Sequence, residues 1–128
     1  MPSYAEPPGL PPDFRVSYRI FSAEEGGRKT PAHQHSRWDF RYDDPAVSTS
    51  TFMIWPEVLL PNGDPVPDGP IPTYGLADMF ILLPQARAFH QLHIRPGVRG
   101  CFVEGTRRVG ACEVVEVLGL HTNPIQIA

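Results

Sequence analysis

The sequence predicts an all-β protein, a small closed antiparallel β-barrel of about six strands. The chain has 128 residues, the size of one domain. It contains 16 prolines and 11 glycines, which interrupt long helices and favour short strands joined by turns. Apolar and polar residues alternate at strand spacing, and no segment has helical periodicity over three turns. We expect residues 1–12 to form a proline-rich N-terminal extension and residues 13–128 to form a single barrel domain.

This alternation places the strands along the chain. In residues 14–21 the apolar side chains share one face and the polar ones the other, which predicts a half-buried strand. A second strand fits residues 37–42, and a third, residues 49–60, contains Pro56 and is therefore expected at a sheet edge or a bulge. A proline- and glycine-rich loop is expected to follow at residues 61–72, and the remaining strands at residues 79–83, 89–94, 99–103 and 109–118.

The charge distribution limits the kinds of partner. The formal net charge is −3, which argues against a general nucleic-acid binder, because neutralising phosphates requires clustered Lys and Arg. Every charged residue between positions 42 and 86 is acidic, whereas residues 87–108 hold five arginines and one glutamate. Two interpretations stay open: two complementary surfaces of one barrel, or one polarised binding face.

Cysteine usage and apolar run lengths bear on the compartment. Cys101 and Cys112 lie in apolar strand-like runs outside any CxxC or Cys/His zinc pattern, so we expect buried free thiols, with a cross-link across a hairpin as the alternative. No apolar stretch approaches the ~20 residues that span a bilayer, and residues 1–12 lack the cationic start and apolar stretch of a signal peptide. We expect a cytoplasmic chain without a membrane partner.

Three ordered segments resemble one known domain. Residues 16–31 read VSYRIFSAEEGGRKTP, residues 36–42 read SRWDFRY, and residues 104–111 read EGTRRVGA. They are similar to the opening strand and loop, a Tyr-Arg-Pro-Gln-Phe-Tyr-Phe strand and the Glu-Gly-Gly-Arg-Thr-Val-Gly-Ala hairpin of the third domain of elongation factor Tu. The segments occur in family order and bracket nearly the whole chain after Pro12, whereas residues 56–91 match poorly.

The resemblance implies a closed barrel that binds rather than catalyses. In the factor this domain packs on a sister barrel and the GTPase domain, contacts the T-stem of aminoacyl-tRNA and meets the exchange factor. This chain has no Gly-x-x-x-x-Gly-Lys-[Ser/Thr] phosphate loop, so nucleotide hydrolysis is excluded for it. We expect a stand-alone, non-catalytic binding module without a cofactor, engaging a protein partner or structured, tRNA-like RNA, and no DNA.

Particular positions set the balance between these two partners. Trp38 and Asp39 stand where the family has Pro-Gln beside the RNA, and an ionised Asp39 repels phosphate, whereas Arg41 partly restores positive charge. We therefore expect a protein partner rather than tRNA. The candidate partner-binding residues are Arg28, Arg37, Trp38, Asp39, Arg41, Glu104, Gly105 and Arg107.

Glycines and aromatic residues add finer expectations. Gly105 suits a tight hairpin turn, and Gly110 inside the last strand suggests a bulge or a close backbone approach. Exposed aromatic side chains anchor many protein interfaces. The candidate anchors are Trp38 and Trp55, followed by Phe21 and Tyr74.

The alternative function is metal chemistry. His33 and His35 form a His-x-His pair, whose side chains would share one face if the segment were a strand, as in metal-binding cupin-like β-barrel enzymes. His90 or His93 would supply the later ligand. The register of Asp39, the nearest downstream acid, is poor for such a site, and Thr30-Pro31 places the His pair in a loop.

Overall fold

The computed structural model describes residues 11–123, so the predicted extension lies almost entirely outside the described residues. Within this range a single sheet forms. Its strands are β1 (Phe14–Ile20), β2 (Asp39–Tyr42), β3 (Thr51–Phe52), β4 (Ile54–Leu59), β5 (Tyr74–Ile81), β6 (Arg99–Glu104) and β7 (Arg107–Val117). One α-helix, α1 (Arg87–His93), and two 3-10 turns, Ala23–Glu25 and Pro84–Ala86, complete the secondary structure of this range.

The sheet is antiparallel and curled, with the order β3-β2-β6-β7-β1-β5-β4. Its two edge strands, β3 and β4, are separated in sequence by Met53 alone. The chain therefore passes directly from pairing with β2 to pairing with β5, and the Met53 carbonyl accepts a hydrogen bond from the Leu82 N–H at 3.1 Å.

The predicted all-β class is confirmed, but the predicted closure is wrong. In the described part of the chain β3 and β4 do not pair with each other, and the seven strands form a half-barrel. The physical reason is the connection between them: Met53 alone joins β3 to β4, which is too short for the two strands to fold back and pair with each other. The two edges meet at one corner, where the chain bends at Met53.

Apolar residues that alternate along the strands line the concave face. In β1 Phe14, Val16 and Tyr18 are buried, as the period of two predicted. Phe40 of β2 is also buried and packs edge-on against Phe14, with ring centroids 6.2 Å apart. Burying each such ring stabilises the fold by about 1.5–3 kcal/mol. Other large side chains of this core are Trp38, Ile54, Met79, Phe102 and Leu120.

The segment predicted as a strand at residues 89–94 is instead the end of α1. Pro84 occupies the first turn of the preceding 3-10 helix, a position in which its missing N–H costs nothing. Arg87 and His90, three residues apart, are the buried residues of α1. A seven-residue helix is too short to show a periodic apolar face, so its sequence pattern could not distinguish it from a strand. The prediction of a strand here was wrong.

A buried ion pair fixes α1 against the start of β1. The Arg87 guanidinium donates to the Asp13 carboxylate at 2.7 Å and to the Leu120 carbonyl at 3.2 Å. The other Asp13 oxygen accepts from the Ile81 N–H at 2.8 Å. These contacts join both ends of the chain's described range to β5 and α1.

The outer edge of β4 is covered by a side-chain amide. Gln34 donates to the carbonyls of Val58 and Val66 at 2.8 and 2.9 Å, and its amide oxygen accepts from the Val58 N–H at 2.8 Å. Gln34 thus replaces one residue of a neighbouring strand, and the unpaired edge is satisfied. The prediction that the Pro56 segment forms an edge strand is confirmed.

Both cysteines are buried and free, as predicted. In the β6–β7 register Cys101 lies opposite Ala111, and Cys112 lies opposite Gly100. The two thiols are therefore one position apart and point to opposite faces of the sheet, which disfavours the alternative cross-link. Burial raises the pKa of the Cys112 thiol.

Candidate binding surface

Glu104, the last residue of β6, holds the β6–β7 hairpin in place. The Glu104 carboxylate accepts a hydrogen bond from the Trp38 indole N–H at 3.0 Å and forms an ion pair with the Arg28 guanidinium. Arg28 also donates to the Thr30 hydroxyl at 3.1 Å. One carboxylate therefore connects the loop after β1, the residue before β2 and the hairpin tip.

The turn of this hairpin needs glycine. Gly105 has a φ of 62°, whereas Thr106 is not among the residues with positive φ. A positive φ at the first of two central residues is typical of a type II′ turn, in which glycine carries no steric cost. The expectation of a tight turn at Gly105 is confirmed.

Trp38 is not an exposed anchor, and that part of the prediction is wrong. Its exposed fraction is 2%, and its indole stacks on Phe102 with ring centroids 5.5 Å apart. Trp38 directly precedes β2, whose side chains continue the same alternation, and it lies on the inward-facing side. Its role is to position Glu104 from inside the core.

Strand β2 presents two of the predicted residues outward. Asp39 lies opposite Val103 and Arg41 lies opposite Cys101 in the ladder with β6. Arg41 is exposed. We use the name hairpin face for the end of the molecule around the hairpin tip, formed by Arg28, Asp39, Arg41 and residues 104–107. In the sheet register Arg107 lies opposite Glu104, on the other side of the sheet from Asp39 and Arg41.

The charges of the hairpin face are only partly neutralised. Within residues 11–123 neither Arg41 nor Arg107 forms an ion pair, and both are exposed. Next to this face Arg108 donates to the Asp43 carboxylate at 3.2 Å. That pair joins the acidic and basic parts of the sequence, as the interpretation of complementary surfaces expects, but two cations stay available to a ligand.

Arg37 contacts β4 and not the hairpin face. Its guanidinium lies 5.2 Å from the centroid of the Trp55 ring on β4, a cation–π arrangement. Trp55 is half-buried beneath it. Among the other candidate anchors, Phe21 is half-buried, with the Arg19 guanidinium 5.1 Å from its centroid, and Tyr74 is 75% exposed.

The four histidines of the metal alternative do not form a metal site. His33 is exposed in a loop that bridges to Pro70, whereas the His35 ring nitrogen lies 2.6 Å from the Glu57 carboxylate. His90 and His93 belong to α1. Among residues 11–123 no three His, Cys, Asp or Glu side chains are grouped so that they could hold a metal ion.

A buried carboxylate that the sequence reasoning missed lies on β4. Glu57 is 2% exposed and lies directly opposite Asp78 of β5. Each of these two acids has a cationic or titratable neighbour, because Glu57 contacts His35 at 2.6 Å and Asp78 accepts from Arg15 at 2.7 Å. The signal was an acid inside the apolar run of residues 54–60, a position where a carboxylate needs a partner.

A second missed group lies beside α1. The Tyr42 hydroxyl and the His90 Nδ1 lie 2.7 Å apart, and His90 Nε2 is buried without a hydrogen-bond partner. Burial, with smaller electrostatic contributions from His93 and Arg87, lowers the pKa of His90 from 6.5 to about 4. Burial raises the pKa of Tyr42. At neutral pH the pair is uncharged and holds the Tyr42 ring in position.

Neither the helix of the described residues nor a comparison with known proteins assigns a further function. In the part of the chain that the structure describes, no helix is long and apolar enough to cross a membrane. No protein-family model matches the chain, and no curated protein sequence is significantly similar to it.

Proposed function

We propose that this chain is a non-catalytic binding module, a stand-alone relative of the third domain of elongation factor Tu, which engages a protein partner in the cytoplasm through the hairpin face. The proposal is supported by the positions of the three segments that resemble the factor. They form β1, β2 and the β6–β7 hairpin, which are neighbours in the sheet order β2-β6-β7-β1. The resemblance implies a closed barrel, and this half-barrel differs from it by being open between β3 and β4.

One observation carries the proposal: Arg28, from the first segment, and Trp38, from the second, both bond to Glu104 of the third. Residues far apart in sequence thereby fix the position of Glu104 at the hairpin tip before any ligand arrives. A pre-organised surface loses less conformational entropy on binding, which favours affinity.

The signs of the charges favour a protein over RNA. The hairpin face combines the unpaired cations Arg41 and Arg107 with the carboxylates of Asp39 and Glu104. Complementary charges of both signs give specificity at protein interfaces, whereas RNA backbones require clustered cations without nearby acids.

The test is affinity capture from an extract of the organism that encodes the chain. The bait is the full chain, and the variant Arg41→Glu combined with Arg107→Glu reverses the two unpaired charges. We expect at least about a tenfold loss of the captured protein, since each reversal replaces an attraction by a repulsion. The control is Arg19→Gln, which removes an exposed arginine that is already neutralised by Glu25 at 2.8 Å.

The outcomes separate the alternatives. Equal capture by parent and double variant rules out the hairpin face as the binding surface. If nothing is captured but tRNA binds in low salt and dissociates as salt rises, RNA is the partner and the protein proposal is wrong.

A further inference from the structure

A cavity of about 460 Å³ opens at the end of β2 that lies away from the hairpin tip. It lies between the turn after β2, residues 43–47, and the connection from α1 to β6, residues 94–98. We call it the corner cavity. Its volume falls in the range of small-molecule sites, which usually combine an apolar wall with a few polar groups.

The wall of the corner cavity is apolar and rigidly held. Tyr42, Val47 and Val98 form this part of the lining. Tyr42 is 3% exposed, is bonded to His90 at 2.7 Å, and packs edge-on against Phe52 with ring centroids 5.9 Å apart. Val47 and Val98 are half-buried, so part of their surface is open to an apolar group.

The two acidic side chains of the lining already have partners. Asp43 accepts from the Arg108 guanidinium at 3.2 Å. Asp44 accepts from the backbone N–H of Ala46 at 2.9 Å, and so closes the turn after β2. Asp43 is thus neutralised by a cation, whereas Asp44 is held by a neutral donor and keeps its negative charge.

The basic side chains are less fully used. Arg99 contacts Glu113 through Nε at 3.2 Å, and this contact leaves its terminal nitrogens without a hydrogen bond in the described residues. The Arg95 side chain has no hydrogen-bonded or ion-paired partner in the same range, and the residue is exposed at the rim. Arg95 is therefore the basic side chain of this lining that the described residues leave fully available to a ligand.

We infer that the corner cavity binds a carboxylate attached to an apolar group, with the carboxylate on Arg95 and the apolar group against Tyr42, Val47 and Val98. Guanidinium groups bind carboxylates with charge-assisted hydrogen bonds and in a fixed planar geometry. The ligand is either a free small carboxylic acid or the C-terminus of a peptide with an apolar last residue. The site is separate from the hairpin face and does not depend on the function proposed for that face.

The test is a titration of the full ¹⁵N-labelled chain followed by NMR. The probe is N-acetyl-phenylalanine, and its matched control is N-acetyl-phenylalaninamide, which keeps the ring and lacks the carboxylate. We expect the acid to shift the amide signals of the non-proline residues in 42–47 and 93–99 with a Kd of about 1 mM, the range for a ligand of this size. The amide should bind at least about tenfold more weakly, because it lacks the charge.

Variants and a peptide arm complete the experiment. Arg95→Gln should weaken the acid about tenfold, whereas Arg107→Gln on the hairpin face should leave its Kd unchanged. A glycine-rich tetrapeptide ending in phenylalanine with a free carboxylate, bound more tightly than the single residue, identifies a peptide C-terminus; equal binding identifies a small acid. Equal shifts from acid and amide, shifts elsewhere on the protein, or no shifts at all would overturn the inference.

Discussion

At the scale of single residues, the core contains a histidine held in its neutral form. His90 is fully buried, with Nδ1 bonded to the Tyr42 hydroxyl and the ring packed edge-on against Phe52 at 4.6 Å between centroids. Water cannot solvate a proton added to this ring, and the electrostatic effect of neighbouring His93 and Arg87 further opposes its addition. Tyr42 in turn forms the wall of the corner cavity, so the protonation of His90 affects both stability and that cavity.

This arrangement predicts a loss of stability in mild acid. The pKa of His90 is about 4 in the folded chain against 6.5 in the unfolded chain, so between these pH values only the unfolded state takes up the proton. The free energy of unfolding should therefore be highest above pH 6.5 and fall towards pH 4, with a slope from this group of up to about 1.4 kcal/mol per pH unit. Urea unfolding at a series of pH values measures the slope.

Two variants isolate the contribution of His90. His90→Gln keeps a polar group for the Tyr42 hydroxyl but does not titrate, so its unfolding free energy should depend less on pH in this range. His33→Gln, at an exposed loop position, should keep the slope of the parent. Equal slopes for the parent and His90→Gln would show that the histidine is not held neutral.

At the scale of elements, alternating residues predicted β1 and β2 well, because each strand buries one face and exposes the other. The same reasoning failed for α1, where Arg87 and His90 are buried by tertiary contacts. Arg87 can be buried because the Asp13 carboxylate, 74 residues away, neutralises its charge and accepts its hydrogen bond at 2.7 Å. No local pattern carries that information.

In the candidate site too, local features were predictable from the sequence and tertiary contacts were not. The turn at Gly105 followed from local chemistry, whereas the contact of Arg28 with Glu104 joins residues 76 positions apart and has no local signal. The burial of Trp38 depended on the side of the curled sheet that becomes concave. The pairing of Glu57 with His35 depended on how the loop before β2 folds over β4.

The β6–β7 hairpin contains two glycines that are needed for different reasons, Gly105 for its backbone conformation and Gly110 for lack of space. At Gly105 an added Cβ would meet no atom within 4 Å, so an alanine there suffers only from the positive φ, at about 1 kcal/mol. At Gly110 an added Cβ would lie 2.8 Å from the Arg19 carbonyl oxygen of β1, and the strands must separate. We expect Gly110→Ala to lower the free energy of unfolding by up to about 3 kcal/mol and by more than Gly105→Ala does.

Urea unfolding of the two variants tests this order. Gly63→Ala is the matched control for the conformational effect, because Gly63 has a φ of 93° and open space around it. It should resemble Gly105→Ala. A smaller loss for Gly110→Ala than for these two would show that β1 and β7 are not as closely paired there as their register indicates.

At the scale of the whole molecule, the shape depends on a contact that the sequence does not display. Residues 49–60 read as one apolar run, but they form two strands at opposite edges of the sheet. The bend at Met53 brings these edges together, and the short β3 leaves the barrel open. Predicting this required knowing which strand each half of the run would pair with.

The contacts of β4 predict how the molecule unfolds. The β4 edge is tied to the rest of the sheet in two ways: through its ladder with β5, and through the Gln34 amide, which bonds to Val58 from the loop that leads to Trp38. Trp38 reports on the concave core, and Trp55 reports on the outer side of β4. We therefore expect both regions to unfold in one cooperative transition, as small single domains usually do.

Single-tryptophan variants measure this directly. Trp55→Phe leaves the fluorescence of Trp38, and Trp38→Phe leaves that of Trp55, since the chain has two tryptophans. In each variant the fluorescence midpoint in urea should coincide with the far-UV circular dichroism midpoint of the same variant, so any loss of stability from the substitution cancels. If Trp55 fluorescence changed at a lower urea concentration than the dichroism did, β4 and its covering loops would form a separate, weaker unit. Because both strands that meet at Met53 belong to one sheet, we expect a single midpoint for each variant.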